Sequence, residues 1–540
     1  MSILPLSNIE ALSEKVFSSI ENNYNLFKAI CFLLILTFTA LIRIDLWTFS
    51  MNYDTFYYAI KAYEITQGDW TPISFQSIGW SAFISIFFKL FAVDTLTGSM
   101  ISIRIITLIL TSLIIFPFAA IAKKLFDKKT SILALIVFVL LKPFTFKGLE
   151  GLSEPLFILL VLLGFNYLLQ IEKKRIYIFY AAVFGALSFW VRANGLFFIL
   201  ITIGYIIFQN YNNKDAKTVQ LANIGLAILI VILISFPHLY LRWIAFGNPM
   251  YYGVNSNYWA DSIGHAWAEN APNYSLSYYF AHHSFFDFFK RLFFFGIIAV
   301  MKGLYAMAGE FWMLLFLIGS IYLLIVKCDK KTFLTVLTAW IFIGLMFPLY
   351  KVFHASRHLI IALPFVILIA LQFFNFLTKD IKYKNTLYLI FAFIYISTNN
   401  AAIDIHDSFN VRRYNEIHHY DSWVQEYFEK YNADAIAHYV MPFQTYEYYI
   451  EKNGEKLKSL SDLNNEMPFK IIKTGFFNSI DDAYLDMKRQ GIKYIIVDNL
   501  LIKEYPFYNE ISKSNKFILI DEFENKGRNI FSNVKIYKAI

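Results

Sequence analysis

The chain has 540 residues, of which 57% are hydrophobic and 19% aromatic, and its mean hydropathy is +0.49. Soluble domains average about 45–50% apolar. The excess lies in runs long enough to cross a bilayer, which excludes a soluble globular protein and predicts a polytopic membrane protein. The formal charge of +8, from 48 basic and 40 acidic residues, is explained by Lys/Arg clusters between the apolar runs. No nucleic-acid motif accompanies it, so no nucleic-acid partner is expected.

In chain order, residues 1–26 are polar and lack the pattern of a secretory signal. Ser7-Asn-Ile-Glu10 reads as a capping box, followed by Ile9, Leu12, Val16 and Ile20 at helical spacing, so a cytoplasmic surface helix is expected there. Apolar runs follow at 27–48, 79–93, 101–122, 130–146, 154–170, 176–192, 195–209, 218–242, 296–326, 332–350, 358–378 and 385–402. Basic clusters lie at Lys123–Lys129, Lys173–Arg175, Lys214–Lys217, Lys327–Lys331 and Lys379–Lys384. The positive-inside rule places all of them in the cytoplasm. A full crossing at 79–93 would invert every later cluster. Its fifteen residues also reach only ~22 Å, against a hydrocarbon core of ~30 Å. An interfacial or re-entrant helix is therefore expected at 79–93. The same parity allows one crossing between 296 and 326, with 285–295 at the interface. About 11 transmembrane helices remain within a 27–402 membrane module, with the N-terminus cytoplasmic.

The external regions are then 49–100, 147–154, 246–292 and 350–358. The aromatics at 251–267 and 278–289 read as an interface belt, any one of which is also a candidate for stacking on a sugar. Residues 403–540 have the composition of a soluble domain. Helical patterns at 419–431 and 480–490 and β-rich runs at 493–499, 516–521 and 534–539 predict a small extracytoplasmic α/β layer. The two cysteines, Cys31 and Cys328, lie in or beside apolar runs and make no disulfide framework. His282-His283 has no acidic cluster beside it, so a metal site there is disfavoured.

Several polar residues lie at external helix ends. Asp54 heads an amphipathic segment beyond the first span, where it serves equally as a helix cap or as a reactive acid. Glu154, before Pro155, reads as a cap or as a second acid on the same face. Arg104, Arg192, Arg357, His358 and Lys351 snorkel to the interface or converge on an anion, since guanidinium binds phosphate oxygens in bidentate fashion. For Arg104 the structural role leads.

Four stretches carry a resemblance over nearly the whole chain: Asp54-Thr-Phe-Tyr-Tyr58, Ser153-Glu-Pro-Leu-Phe157, Val191-Arg-Ala-Asn-Gly195 and Arg357-His-Leu359 with Leu363-Pro364. In this order they resemble the polyprenyl-phosphate-sugar-dependent glycosyltransferases of the GT-C fold, in the family 39-like branch related to protein O-mannosyltransferases and lipid A aminoarabinose transferases. The resemblance implies a cell-envelope enzyme of the bacterial cytoplasmic membrane, with Asp54 as catalytic base and Glu154 organising the site. It implies that Arg357, Arg192, Arg104, His358 and Lys351 bind the donor lipid phosphate. Its partners would be a polyprenyl-phosphate sugar and a lipid, glycan or protein acceptor. No cofactor is required, although a divalent cation is compatible. Two departures stand out: Thr55 occupies the place of a frequent second acid, and Gln76-Ser77 replace a Pro-rich stretch. A GT-C-like glycan polymerase or ligase, or a lipid or glycan transporter, are the alternatives.

Overall fold

The computed structural model describes residues 6–42, 47, 53–211, 217–253, 256–261, 274–326, 329–351, 356–398, 434–437, 446, 449–450, 452–467, 471–473, 479–498, 501–502, 505–524 and 533–540. The expected helix at 419–431 lies outside them.

The first half of the chain is helical: α1 (Leu6–Asn22), α2 (Tyr24–Ile42), α3 (Tyr53–Thr66), α4 (Ile78–Leu90), α5 (Leu96–Leu113), α6 (Ile115–Leu125), α7 (Lys128–Val139), α8 (Lys142–Lys147), α9 (Glu154–Leu168), α10 (Ile176–Val191), α11 (Gly195–Tyr211) and α12 (Lys217–Phe246). Among the described residues, five helical stretches are long and apolar enough to cross a membrane by length and composition, including Tyr24–Leu41, Leu96–Leu125 and Leu221–Phe246. The apolar run at 130–146 is broken between α7 and α8. Pro143, at the start of α8, lacks the N–H that would continue the preceding helix.

Lysines of three basic clusters gather at one end of the bundle. Lys330 reaches Glu172 at 3.1 Å and Gln209 at 2.7 Å, Lys384 reaches Asp127 at 3.4 Å, and Lys124 donates to the Asn166 carbonyl at 3.0 Å. Helix α10 starts at this lysine end, beside Arg175, and finishes at Arg192. Arg192 thus marks the opposite end.

Helix α4 lies at that opposite end, packed on α3 and α10, with Trp80 Nε1 donating to the Gly151 carbonyl at 3.0 Å. Its 13 residues extend only ~20 Å. The helical stretch Phe285–Ala308 is long enough to cross, yet it stays at the same end. Arg291 bonds the Pro348 carbonyl, Gly296 abuts Phe347 and Gly303 abuts Leu359. Glu310–Val326 then runs back toward the lysines.

Helix α1 corrects one expectation. Glu10 does not cap its own helix; its carboxylate caps the helix Lys384–Thr398, accepting from Thr386 N at 2.8 Å, Thr386 Oγ1 at 2.6 Å and Asn385 Nδ2 at 2.8 Å. Both arrangements need an acid near a helix N-terminus, so local pattern does not separate them. The buried face of α1 is Ser13 and Phe17, while Leu12 and Val16 point outward.

Among the described residues of the tail, five strands form one sheet. Its strands are β1 (Ala435–Ala437), β2 (Ile471–Lys473), β3 (Tyr494–Val497), β4 (Phe517–Glu524) and β5 (Asn533–Ala539), in the order β2-β1-β3-β5-β4. β1 is parallel to β2 and β3, and β5 is antiparallel to β3 and β4. The helix Ile480–Gln490 covers it with Ala483 and Met487. The tail also grips the membrane module. Leu96 N donates to the Glu455 carbonyl at 2.7 Å, Leu457 N to Asp94 at 2.8 Å and Leu460 N to Glu64 Oε1 at 3.0 Å. Glu64 is itself held by buried Lys61 at 2.8 Å.

Candidate active site

A cavity of about 140 Å³ opens at the end away from the lysines. Four loop junctions build it, and each brings one of the residues read from the sequence.

Asp54 stands in the first turn of α3, where a carboxylate is favoured by the helix dipole. It lines the cavity, and Gln76 Nε2 donates to its backbone carbonyl at 3.2 Å and approaches its Oδ1 at 3.4 Å. Thr55, the residue in place of a second acid, is buried and donates to the Glu150 carbonyl at 2.5 Å. A carboxylate could not make that bond. Thr55 also packs on Gly151, whose φ of +76° and lack of a Cβ let the two segments meet; a Cβ there would lie 2.5 Å from the Thr55 methyl. This junction sets α3 against the start of α9, with Asp54 and Glu154 on the same cavity.

Glu154 opens α9, followed by Pro155. Ser153, which precedes the helix, does not cap it: its backbone is helical and its hydroxyl bonds no helix N–H. Instead the Ser153 hydroxyl accepts from Arg192 Nη1 at 2.9 Å and from the Tyr58 hydroxyl at 3.3 Å.

Arg192 comes from the turn between α10 and α11. The chain reverses there because Gly195 lies against the backbone of Phe189, where a Cβ would be 2.3 Å from its nitrogen. Arg192 is extended (φ −150°) and leaves α10 to face the cavity. Its Nη1 lies 2.9 Å from Glu154 Oε1, with the two side chains 16% and 4% exposed. The contact is ionic rather than a well-aligned hydrogen bond, since neither Glu154 oxygen accepts one among the described residues. Its Nη2 lies 3.0 Å from His358 Nδ1. A guanidinium only donates, so Nδ1 carries the lone pair and the neutral ring keeps its proton on Nε2.

His358 lines the cavity from the short helix Ser356–Leu359. Arg357 and Lys351 are in the same stretch, but their side chains lie outside the described ones. Arg104 is buried on α5 and is not among the lining residues. His282 and His283 are elsewhere: His283 Nε2 pairs with Asp261 at 3.1 Å and His282 Nδ1 meets the Tyr278 carbonyl. Among the described residues no cluster of three or more His, Cys, Asp or Glu could hold a metal ion.

Other lining residues had no site role singled out in the sequence: Gln76 and Ser77, seen there only as a departure from a Pro-rich stretch, Asn257, and Tyr252 and Tyr258, which lay within the aromatics read as an interface belt and face the cavity instead. Burial raises the phenol pKa of both tyrosines, opposed by Arg242 at Tyr252 and by Arg192 at Tyr258. No spacing rule marks these positions, because they converge only when two loops distant in sequence fold together.

No protein-family model and no curated protein sequence matches the chain. Solved structures do. The archaeal oligosaccharyltransferase AglB from Archaeoglobus fulgidus, in complex with an inhibitory peptide and a dolichol-phosphate, superposes with TM-score 0.53 at 12% identity, over 88% of this chain and 70% of that one. Its apo form gives TM-score 0.54 at 10% identity, over 93% and 74%. ArnT from Cupriavidus metallidurans, bound to undecaprenyl phosphate, gives TM-score 0.50 at 11% identity, over 96% of this chain and 98% of that one. The chain therefore has the GT-C fold that it shares with AglB and ArnT.

Proposed function

We propose that the protein is a membrane glycosyltransferase that moves a sugar from a polyprenyl-phosphate donor to an acceptor hydroxyl, with Asp54 as general base. The observation that carries this reading is the convergence of Asp54, Glu154, Arg192 and His358 on one cavity, at the bundle end away from the lysines. The fold shared with two transferases whose solved complexes contain polyprenyl phosphates supports it. By the positive-inside rule the lysine end lies in the cytoplasm and the cavity and tail outside; the bacterial cytoplasmic membrane is what the family resemblance implies.

In this scheme an Asp54 oxygen takes the proton of the acceptor hydroxyl as its oxygen bonds the anomeric carbon. The bond from that carbon to the phosphate oxygen breaks with inversion, and the electron pair leaves on the phosphate. Arg192 and the Nε2–H of His358 meet the developing charge, a fixed arrangement of the kind that contributes most in a dry site. Arg357 and Lys351 add to this phosphate site. Glu154 holds Arg192 in place rather than moving a proton. Because a guanidinium already balances Glu154, the scheme needs no divalent cation.

The test is purified protein in proteoliposomes supplied with undecaprenyl-phosphate sugars and envelope lipid, glycan and peptide acceptors. Release of undecaprenyl phosphate coupled to glycosylated acceptor is the expected result. Movement of the lipid between leaflets without sugar transfer would replace this reading with the transporter.

A further inference from the structure

One stretch of the long external loop forms a wall of the cavity, and a buried arginine pins it at each end. At its start, Arg242 of α12 is fully buried. Its Nε donates to the Tyr251 carbonyl at 2.7 Å, Nη1 to that of Gln76 at 3.2 Å and Nη2 to that of Ser74 at 3.1 Å. Its guanidinium also stacks 3.8 Å from the centre of the Tyr252 ring. Gly253 N bonds the Ser74 carbonyl at 2.9 Å and closes the same join. At the far end, buried Arg291 donates from Nη2 to Ala260 at 2.8 Å and from Nε to Pro348 at 3.1 Å, with Asp261 3.8 Å away. The first arginine thus ties the wall to the loop whose Gln76 reaches Asp54. The second ties it to the stretch leading to His358. A guanidinium suits both tasks because its five donors form a rigid fork that several carbonyls can share.

Between the two pins, Tyr252, Asn257 and Tyr258 line the cavity. Asn257 is buried, and the Tyr252 hydroxyl is fixed by His238 Nε2 at 2.8 Å. This wall offers an amide, hydroxyls and ring faces, and no charge. Such groups bond hydroxyls and cover the C–H face of a sugar.

We propose that Tyr252, Asn257 and Tyr258 are the specificity-determining wall that recognises the glycosyl group of the donor. Arg242 and Arg291 are positioning residues that set this wall against Asp54 and His358. The inference rests on the transferase reading and deepens it.

The experiment measures binding to the full chain in nanodiscs. The probes are undecaprenyl phosphate and its glucosyl, N-acetylglucosaminyl and arabinosyl esters. Wild type should bind at least one ester tenfold tighter than the bare lipid. Asn257→Ala and Tyr258→Phe should cut that preference below twofold while bare-lipid affinity stays within twofold. Arg242→Lys should raise KM for the preferred ester at least tenfold with a smaller fall in kcat, a split that simple loss of folded enzyme does not give. If Arg242→Lys does not fold, Tyr252→Phe carries the same expectation. Preference kept by the variants, or no preference in wild type, overturns the wall. An ester preference that Asn257→Ala removes, without any transfer by wild type, leaves the wall standing and overturns the transferase reading instead.

Discussion

Replacing Arg192 with methionine removes its charge while keeping much of its length. Glu154 then retains a carboxylate whose side chain is 4% exposed and loses its partner at 2.9 Å. Orphaning one member of a buried ion pair costs about 3–5 kcal/mol. The lost bonds to Ser153 and His358 add about 0.5–1.5 kcal/mol each. Removing the orphan should recover most of the first term, because an apolar pair of similar volume is often neutral or better. Arg192→Met/Glu154→Leu should therefore be more stable than Arg192→Met alone, by about 2 kcal/mol or more. Equilibrium unfolding in detergent micelles for the wild type, both single variants and the double variant closes the cycle. Both variants lacking Arg192 should also bind undecaprenyl phosphate more weakly. A double variant destabilised by the sum of its two single changes would refute the coupling.

Further outcomes follow from the same geometry. Gly151→Ala places a Cβ 2.5 Å from the Thr55 methyl at a positive φ. It should cost about 1–3 kcal/mol and lower transfer by moving Asp54, as unfolding and rate measurements would read. Around Glu10, burial opposes the charge, but the bonds from Thr386 and Asn385 outweigh it and hold the carboxyl below its ordinary value. A depressed folded pKa gives stability that is present above the ordinary carboxylate range and lost as pH falls through the folded value. Amide exchange at 385–388 should thus quicken on acidification, and Glu10→Gln should remove that dependence. Cysteines placed at 94–99 should label from outside and those at 123–129 should not; outside labelling of 123–129 would overturn the orientation. Chelation of divalent cations should leave transfer unchanged, since Arg192 already neutralises Glu154.

What was legible in the sequence is what the bilayer dictates. Lys124, Lys330 and Lys384 mark one end of the helices because a charge is costly in hydrocarbon, and counting spans from the lysine clusters put Asp54, Glu154 and Arg192 at the other. The shortness of 79–93 showed that α4 need not cross. The Val191–Gly195 motif was visible, although its reason, the close approach of Gly195 to Phe189, is a fact of packing. Glu10 was placed on the right helix with the wrong partner, because its target is Thr386, far along the chain. Tyr252 and Tyr258 were visible only as members of an aromatic stretch, with nothing to single them out, and Asn257 left no pattern. Arg242 holds their wall through backbone carbonyls, and carbonyls carry no sequence signal.

The role of Asp54 is tested most directly by Asp54→Asn in purified, folded protein. The change keeps the side chain's shape and removes only its ability to accept the proton. Transfer from the preferred undecaprenyl-phosphate sugar should fall by about 10²–10⁴-fold, while undecaprenyl phosphate still binds with near wild-type affinity. Transfer at the wild-type rate would contradict the assignment of Asp54 as the base.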